Sequence, residues 1–239
     1  MQEVRNRWIA LEGLTQCRKM VQLSVEVCSR LHNVPLYRAL RVDASVGFVI
    51  ASCTLNEENQ LRTLSKNEIN QILLQGRDLS EGEVTSILDE FETQQPEIYQ
   101  AIFAELSDGI AEVNQEMANL FLDLCFDIIW LYRKAFGKPP AINKREEWLT
   151  NSLSLLDAEL KSLCEYRPMH DSIRTNLQRR FVKRSRASGV QMSLLEHLDR
   201  EVEKYASFKK ERQSAIQVTN NLLFVIVRLM DELYTKTNS

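Results

Sequence analysis

The chain has 239 residues, 44% of them hydrophobic and 26% charged, with a formal net charge of −3. Only 7 glycines and 5 prolines interrupt it, about 5% of the residues where about 12% is ordinary. That scarcity of turn residues excludes sandwiches, barrels and glycine-rich nucleotide-binding folds, and the composition excludes disordered, collagen-like and disulfide-scaffold chains. What remains is an all-α protein, a multi-helix bundle of about nine helices.

The first predicted helix covers 2–32, with Ile9, Leu14, Met20, Val27 and Leu31 at helical spacing, and His32-Asn33-Val34-Pro35 ends it. Residues 36–55 are ambiguous. Val46–Leu55 is β-branched enough for a strand, yet no partner strand is visible and a lone strand leaves its backbone unsatisfied, so a buried helix is the better reading.

Helix starts follow at Ser65 with Glu68, Ser80 with Glu83, Asn143 with Glu146 and Ser193 with Glu196. In each, a capping side chain stands three places before a Glu that reaches back to it. Pro96 suits a first helical turn, and Gly76, Gly137 and Gly189 suit stops. The predicted helices are therefore 65–74, 80–93, 96–106, 108–136, 143–166, 170–187 and 193–236. Gly137–Pro140 is the best boundary between an N-terminal lobe, 1–136, and a C-terminal lobe, 141–239, unless the two form one continuous domain.

The last helix, 193–236, carries a heptad pattern with Leu195, Val202, Ile216, Leu223 and Met230 at a and Leu198, Ile226 and Leu233 at d. Its middle is polar at Lys209 and Arg212. A continuous helix of that length would run roughly 65 Å. Either it breaks near Lys209–Ser214, or it projects and pairs with another subunit, making a homo-oligomer.

No run is long and uncharged enough to cross a bilayer, and MQEVRNRW has no apolar signal core. The five cysteines, Cys17, Cys28, Cys53, Cys125 and Cys164, are odd in number and make no C-x-x-C pair. They read as buried thiols of a cytoplasmic protein with no membrane segment. The three histidines, His32, His170 and His197, have no spacing that suggests zinc or nucleophilic catalysis.

Charge is distributed unevenly. Residues 71–132 hold 13 acids and one base; residues 170–190 hold 6 bases and one acid. Three constellations follow. On the predicted helix 108–136, Glu112, Glu116, Asp123 and Asp127 fall along one face. They are candidate Mg²⁺ ligands, since carboxylates on facing helices supply hard oxygen donors. Alternatively Asp123 or Asp127 forms a buried ion pair with Arg228, which sits in the equally apolar stretch LLFVIVRLMDEL. On the helix 170–187, Ile173, Leu177 and Phe181 form a narrow docking stripe. Around them Arg174, Arg179, Arg180, Lys183, Arg184 and Arg186 make a candidate nucleic-acid or anion-binding surface.

Glu116-Met117-Ala118-Asn119 followed by an apolar helix resembles the E-x-x-D helix of the all-α nucleotide pyrophosphohydrolases. The nearest upstream match to that family's paired-Glu helix is Asp89-Glu90-Phe91-Glu92, and Asn119 stands where the family has Asp. The resemblance implies a Mg²⁺-dependent nucleotide hydrolase; without it, no cofactor is called for. The residues themselves favour a non-catalytic helical interaction or scaffold protein, a subunit of a larger assembly with a protein partner. Nucleic-acid binding through the Arg-rich helix is the alternative.

Overall fold

A computed structural model describes residues 61–140, 145–162, 170, 172–173, 175–177, 179–180 and 191–235, with side chains of 147–156 in the helix that begins at Arg145. The expectations for 2–32, 36–55, Asn143, Gly189, His32 and the cysteines other than Cys125 lie outside the described residues, as do Arg174, Lys183, Arg184 and Arg186. The described chain is mostly helical, with no strand among the described residues.

Helix α1 (Lys66–Arg77) and α2 (Glu81–Gln94) start at the two predicted capping boxes. Ser65 Oγ accepts from the Glu68 N–H at 3.3 Å while Glu68 accepts from the Ser65 N–H at 2.8 Å. Ser80 and Glu83 repeat the arrangement at 3.4 and 2.8 Å. Each box satisfies helix-end donors that would otherwise be orphaned.

Pro96 opens α3 (Pro96–Gln100), which runs on through a π-helical segment, Ala101–Leu106, into α4 (Ser107–Ala111). The expected break between 106 and 108 is thus absent and falls instead at 112–114. Asn114 is the reason. Its backbone is extended and its side chain accepts from the Met117 N–H at 3.0 Å, capping α5 (Gln115–Phe136). Gly137 then ends α5 with φ +93° and ψ −161°, a backbone region essentially reserved for glycine.

Beyond it are α6 (Arg145–Ser162), α7 (Met192–Ser207), a 3₁₀ turn at Lys210–Ala215 and α8 (Ile216–Thr235). One expectation fails here. Ser193 is not a cap, because α7 already begins at Met192 after Gln191. The buried Gln191 side chain is engaged elsewhere, accepting from the Leu64 N–H at 2.8 Å and donating to the Arg62 carbonyl at 3.0 Å. Glu196 instead pairs with Lys66 at 2.9 Å.

Of the two alternatives for 193–236, the break near Lys209–Ser214 is the one observed. The helix breaks between Ser207 and Ile216, and α8 folds back on α7, with buried Asn220 donating to Asp199 at 2.7 Å. Its apolar heptad positions, among them Leu195, Leu198, Leu223 and Met230, are spent in the chain's own core.

Side chains from both sides of Gly137 enter one core, from Leu61 to Tyr234. At its centre lies α8, buried on all sides from Val218 to Tyr234 apart from the half-buried Glu232. An element apolar around its whole circumference belongs inside a bundle. It packs on α5 and α7, and α1 packs on the same two helices. The Trp130 indole of α5 donates to the Ile72 carbonyl of α1 at 2.9 Å. Tyr132, Phe136 and Tyr234 form an aromatic cluster with centroids 5.5 to 6.0 Å apart. Trp130, Trp148 and Cys125 are core residues, as their apolar surroundings predict.

Candidate functional site

The acidic stripe is dismantled by its own neighbours. Glu112 lies in the turn before the Asn114 cap, so it does not share a helix with Glu116, Asp123 and Asp127. Glu116 is held by two cations from the far corner of the chain, Lys209 Nζ at 2.5 Å and Arg212 Nε at 2.7 Å. Lys209 first and Arg212 second hold its carboxyl below the usual range. Arg212 is itself buried, donates to the Tyr205 carbonyl at 2.9 Å and places its guanidinium 3.7 Å from the Tyr205 ring centroid. Asn114 donates to the Glu211 carbonyl at 3.3 Å. The turn before α5 is thereby pinned to the corner between α7 and α8.

Asp123 is exposed on α5. Asp127 is half-buried, and burial pushes its carboxyl up to about 6, against the favourable charge of Arg77 and with reinforcement from Asp123 and Glu201. The cation felt by Asp127 is therefore Arg77 rather than the expected Arg228. His197 of α7 is half-buried in the same junction of α1, α5 and α7. Burial lowers its pKa, opposed by Glu201 and aided by Arg200 and Arg77. Burial thus raises the pKa of a carboxyl and lowers that of an imidazole at this junction.

This junction does not make a metal centre. Among the described residues, no group of three or more His, Cys, Asp or Glu side chains converges as a metal site. The expected Glu112, Glu116, Asp123 and Asp127 set is corrected by the turn at 112–114 and by the cations on Glu116. Glu90, from the upstream match to the hydrolase pattern, is likewise occupied, by Arg133 and by Lys138 at 2.6 Å.

Arg228 occupies the core at 1% exposure and pairs with Glu232, one turn on, at 3.7 Å. Beside it lies Asp231, which was legible by the logic that singles out Arg228, a charge inside an apolar helix. Tyr132 donates to Asp231 Oδ1 at 2.5 Å. Complete burial pushes the Asp231 carboxyl up to about 8, and the bond from Tyr132, the charge of Arg228 and the Gln191 backbone N–H restrain the rise. The opposite helix start behaves oppositely: hydrogen bonds from Ser65 hold the Glu68 carboxyl down at about 2.

The predicted basic surface is described at Arg179 and Arg180, both exposed and helical. Among the described residues neither has an ion-pair partner, although every acid of 71–132 is described. Ile173 at the head of the docking stripe is 53% exposed, and Leu177 is half-buried. On α2, Glu81, Asp89 and Glu92 are also exposed and share one helical face. At the α7–α8 corner Phe208 is 72% exposed. No described helix is long and apolar enough to cross a membrane.

No family model matches the chain, no curated protein matches it, and no solved structure matches it.

Proposed function

We propose that the protein is a non-catalytic helical interaction or scaffold subunit of a larger macromolecular assembly, working in the cytoplasm and binding through helix faces and charge complementarity. One observation carries the reading. Ile173, Arg179 and Arg180 all stand exposed, and among the described residues, the acidic segment 71–132 included, neither arginine meets an acid. An exposed apolar side chain together with exposed guanidinium groups suits an acidic protein partner. Affinity capture of the full chain tests it. Chains that co-purify with the wild type should be lost from Ile173→Asp combined with Arg179→Glu and Arg180→Glu. An unchanged set of co-purifying chains would overturn the reading.

The same exposed arginines favour a second reading, nucleic-acid binding. It requires a gel shift at low salt that weakens steeply as salt rises and disappears in Arg179→Glu/Arg180→Glu. A wild type that shifts neither RNA nor DNA at low salt would end it.

A further inference from the structure

We propose that Asp231 is a proton-operated latch: while its carboxyl is protonated, the lead-in to α1, residues 61–64, stays seated on the start of α7, and ionisation of the carboxyl opens that joint while α5 and α8 stay packed.

A chain of contacts links the carboxyl to the joint. On one side Tyr132 of α5 donates to Asp231 Oδ1 at 2.5 Å. On another stands the backbone N–H of Gln191, close enough to favour the charged form. Gln191 is fully buried. Its side chain accepts from the Leu64 N–H at 2.8 Å and donates to the Arg62 carbonyl at 3.0 Å. One residue thus faces the carboxyl with its backbone and holds the lead-in with its side chain. Among the described residues, the charged and titratable groups that face Asp231 are Tyr132 from α5 and Arg228 and Glu232 from its own helix, and the start of α7 adds the Gln191 N–H. Arg228 is shared with Glu232 at 3.7 Å. An ionised Asp231 is therefore a buried charge that is only partly compensated, and it favours any opening that brings it water.

The joint is the least costly place to open. Reaching Asp231 by displacing α5 or α7 breaks helix packing against α8 and exposes the core. The lead-in is not helical. It is held by two hydrogen bonds to one side chain and by the burial of Leu61 and Leu64. Gln191 stands just before the first turn of α7, so its side chain can release the lead-in without unwinding that helix. Segments held this sparsely open locally, ahead of the core. Once water reaches the carboxyl, its pKa falls from about 8 back toward 3.8. Opening therefore releases a proton between those limits, and each unit of rising pH makes it about tenfold easier until the folded value is passed.

Amide hydrogen exchange of the full-length chain, followed residue by residue by NMR from pH 5 to pH 7, tests the latch. Leu64 is the reporter, because its N–H bonds to Gln191 Oε1. Ile128, buried on α5, reports opening of the core. Rates are divided by those of an unstructured peptide at the same pH. The opening equilibrium of Leu64 in the wild type should then rise about tenfold per pH unit, and Leu64 should exchange faster than Ile128 throughout. Asp231→Asn should abolish that rise. Gln191→Ala should leave Leu64 exchanging faster than in the wild type and without the rise, while Ile128 stays protected. A wild-type Leu64 whose opening does not change with pH would overturn the latch. So would a Leu64 that exchanges at the rate of Ile128, since the joint would then open only with the whole core. Persistence of the rise in either variant would overturn it as well. Should Asp231→Asn fail to fold, the wild-type slope and Gln191→Ala decide between these outcomes.

Discussion

Helices α5 and α8 look alike as sequences, two apolar stretches with embedded charges, yet they occupy opposite roles. On α5, burial is one-sided. Met117, Phe121, Leu124 and Ile128 face the core, while Glu116, Asp123 and Asp127 lie at or near the surface, Glu116 pairing with Lys209 and Arg212 and Asp127 feeling Arg77. On α8 burial runs all round from Val218 to Tyr234 apart from Glu232, Arg228 pairs with Glu232, and Asp231 accepts from Tyr132. The contrast teaches that a carboxylate in an apolar run takes its properties from the circumference of its helix. Half-buried Asp127, with Arg77 opposing the rise, goes up to about 6, whereas fully buried Asp231 goes up to about 8 despite Tyr132 and Arg228.

The most direct way to break this contrast is to truncate equal side chains on the two helices. Phe224 of α8 is fully buried and Phe126 of α5 is half-buried. Phe224→Ala should cost about 3–5 kcal/mol, because transfer and cavity costs add when the site cannot collapse. Phe126→Ala should cost less than half as much. Urea unfolding midpoints compare them directly, and equal losses would show that α5 is buried as deeply as α8.

The second test is the proton on Asp231. Tyr132→Phe removes a hydrogen bond to a buried carboxyl and should cost about 1–3 kcal/mol. The pH dependence sharpens the point. The folded value near 8 lies above the ordinary 3.8, so between the two the folded state holds a proton that the unfolded state has released. Stability from this group is therefore complete below 3.8 and declines as pH rises to about 8. Asp127 acts in the same direction, over the narrower window from 3.8 to about 6. Glu68 acts in the opposite direction, its contribution present above 4.5 and lost as pH falls toward 2. Asp231→Asn should flatten the decline, so that its stability relative to wild type improves between pH 5 and pH 9. A difference that stays constant across that range would mean Asp231 is ionised throughout.

How much of this was legible in the sequence follows the range of the forces involved. The capping boxes at Ser65 and Ser80 were legible because both partners lie within three residues. Ser193 carries the same local signal and misleads, because Gln191, bonded 127 residues away to Leu64, already sets the helix start. The break between α7 and α8 was foreseen only as one option, since the apolar residues of 193–236 suit a projecting helix as well as a folded hairpin. The clamp of Glu116 by Lys209 and Arg212 joins residues over 90 positions apart, and nothing in the local pattern pairs them. Arg228 was identifiable as a buried charge from its apolar stretch, but its pairing with Glu232 one turn on was not singled out.

The glycines give the next largest effects and separate two reasons for the same residue. A Cβ at Gly76 would lie 2.9 Å from Trp130 Cδ1, and the indole is anchored to Ile72, so it cannot simply swing aside. Gly76→Ala should lose about 1–3 kcal/mol to overpacking, only partly offset by about 1 kcal/mol of helix propensity. At Gly137 the space for a Cβ is open and only the backbone objects, with φ at +93°. Gly137→Ala should cost about 1–3 kcal/mol. Unfolding of the two variants tells the causes apart. Adding Trp130→Phe, which shrinks the neighbour, should soften the effect of Gly76→Ala and leave that of Gly137→Ala unchanged.

The smallest expected effect lies at the corner between α7 and α8, where neighbouring residues differ in what they do for the fold. Arg212 is buried and joins Glu116, the Tyr205 carbonyl and the Tyr205 ring, so Arg212→Ala should cost about 1–3 kcal/mol through lost packing and stranded polar partners. Phe208, four residues earlier, is 72% exposed and touches little that folding could use. Phe208→Ser should change unfolding stability by no more than about 0.5 kcal/mol. A loss above about 1 kcal/mol would show that the ring packs against the protein in solution. A neutral result would establish that the large apolar side chain at this corner contributes nothing to the stability of its own chain.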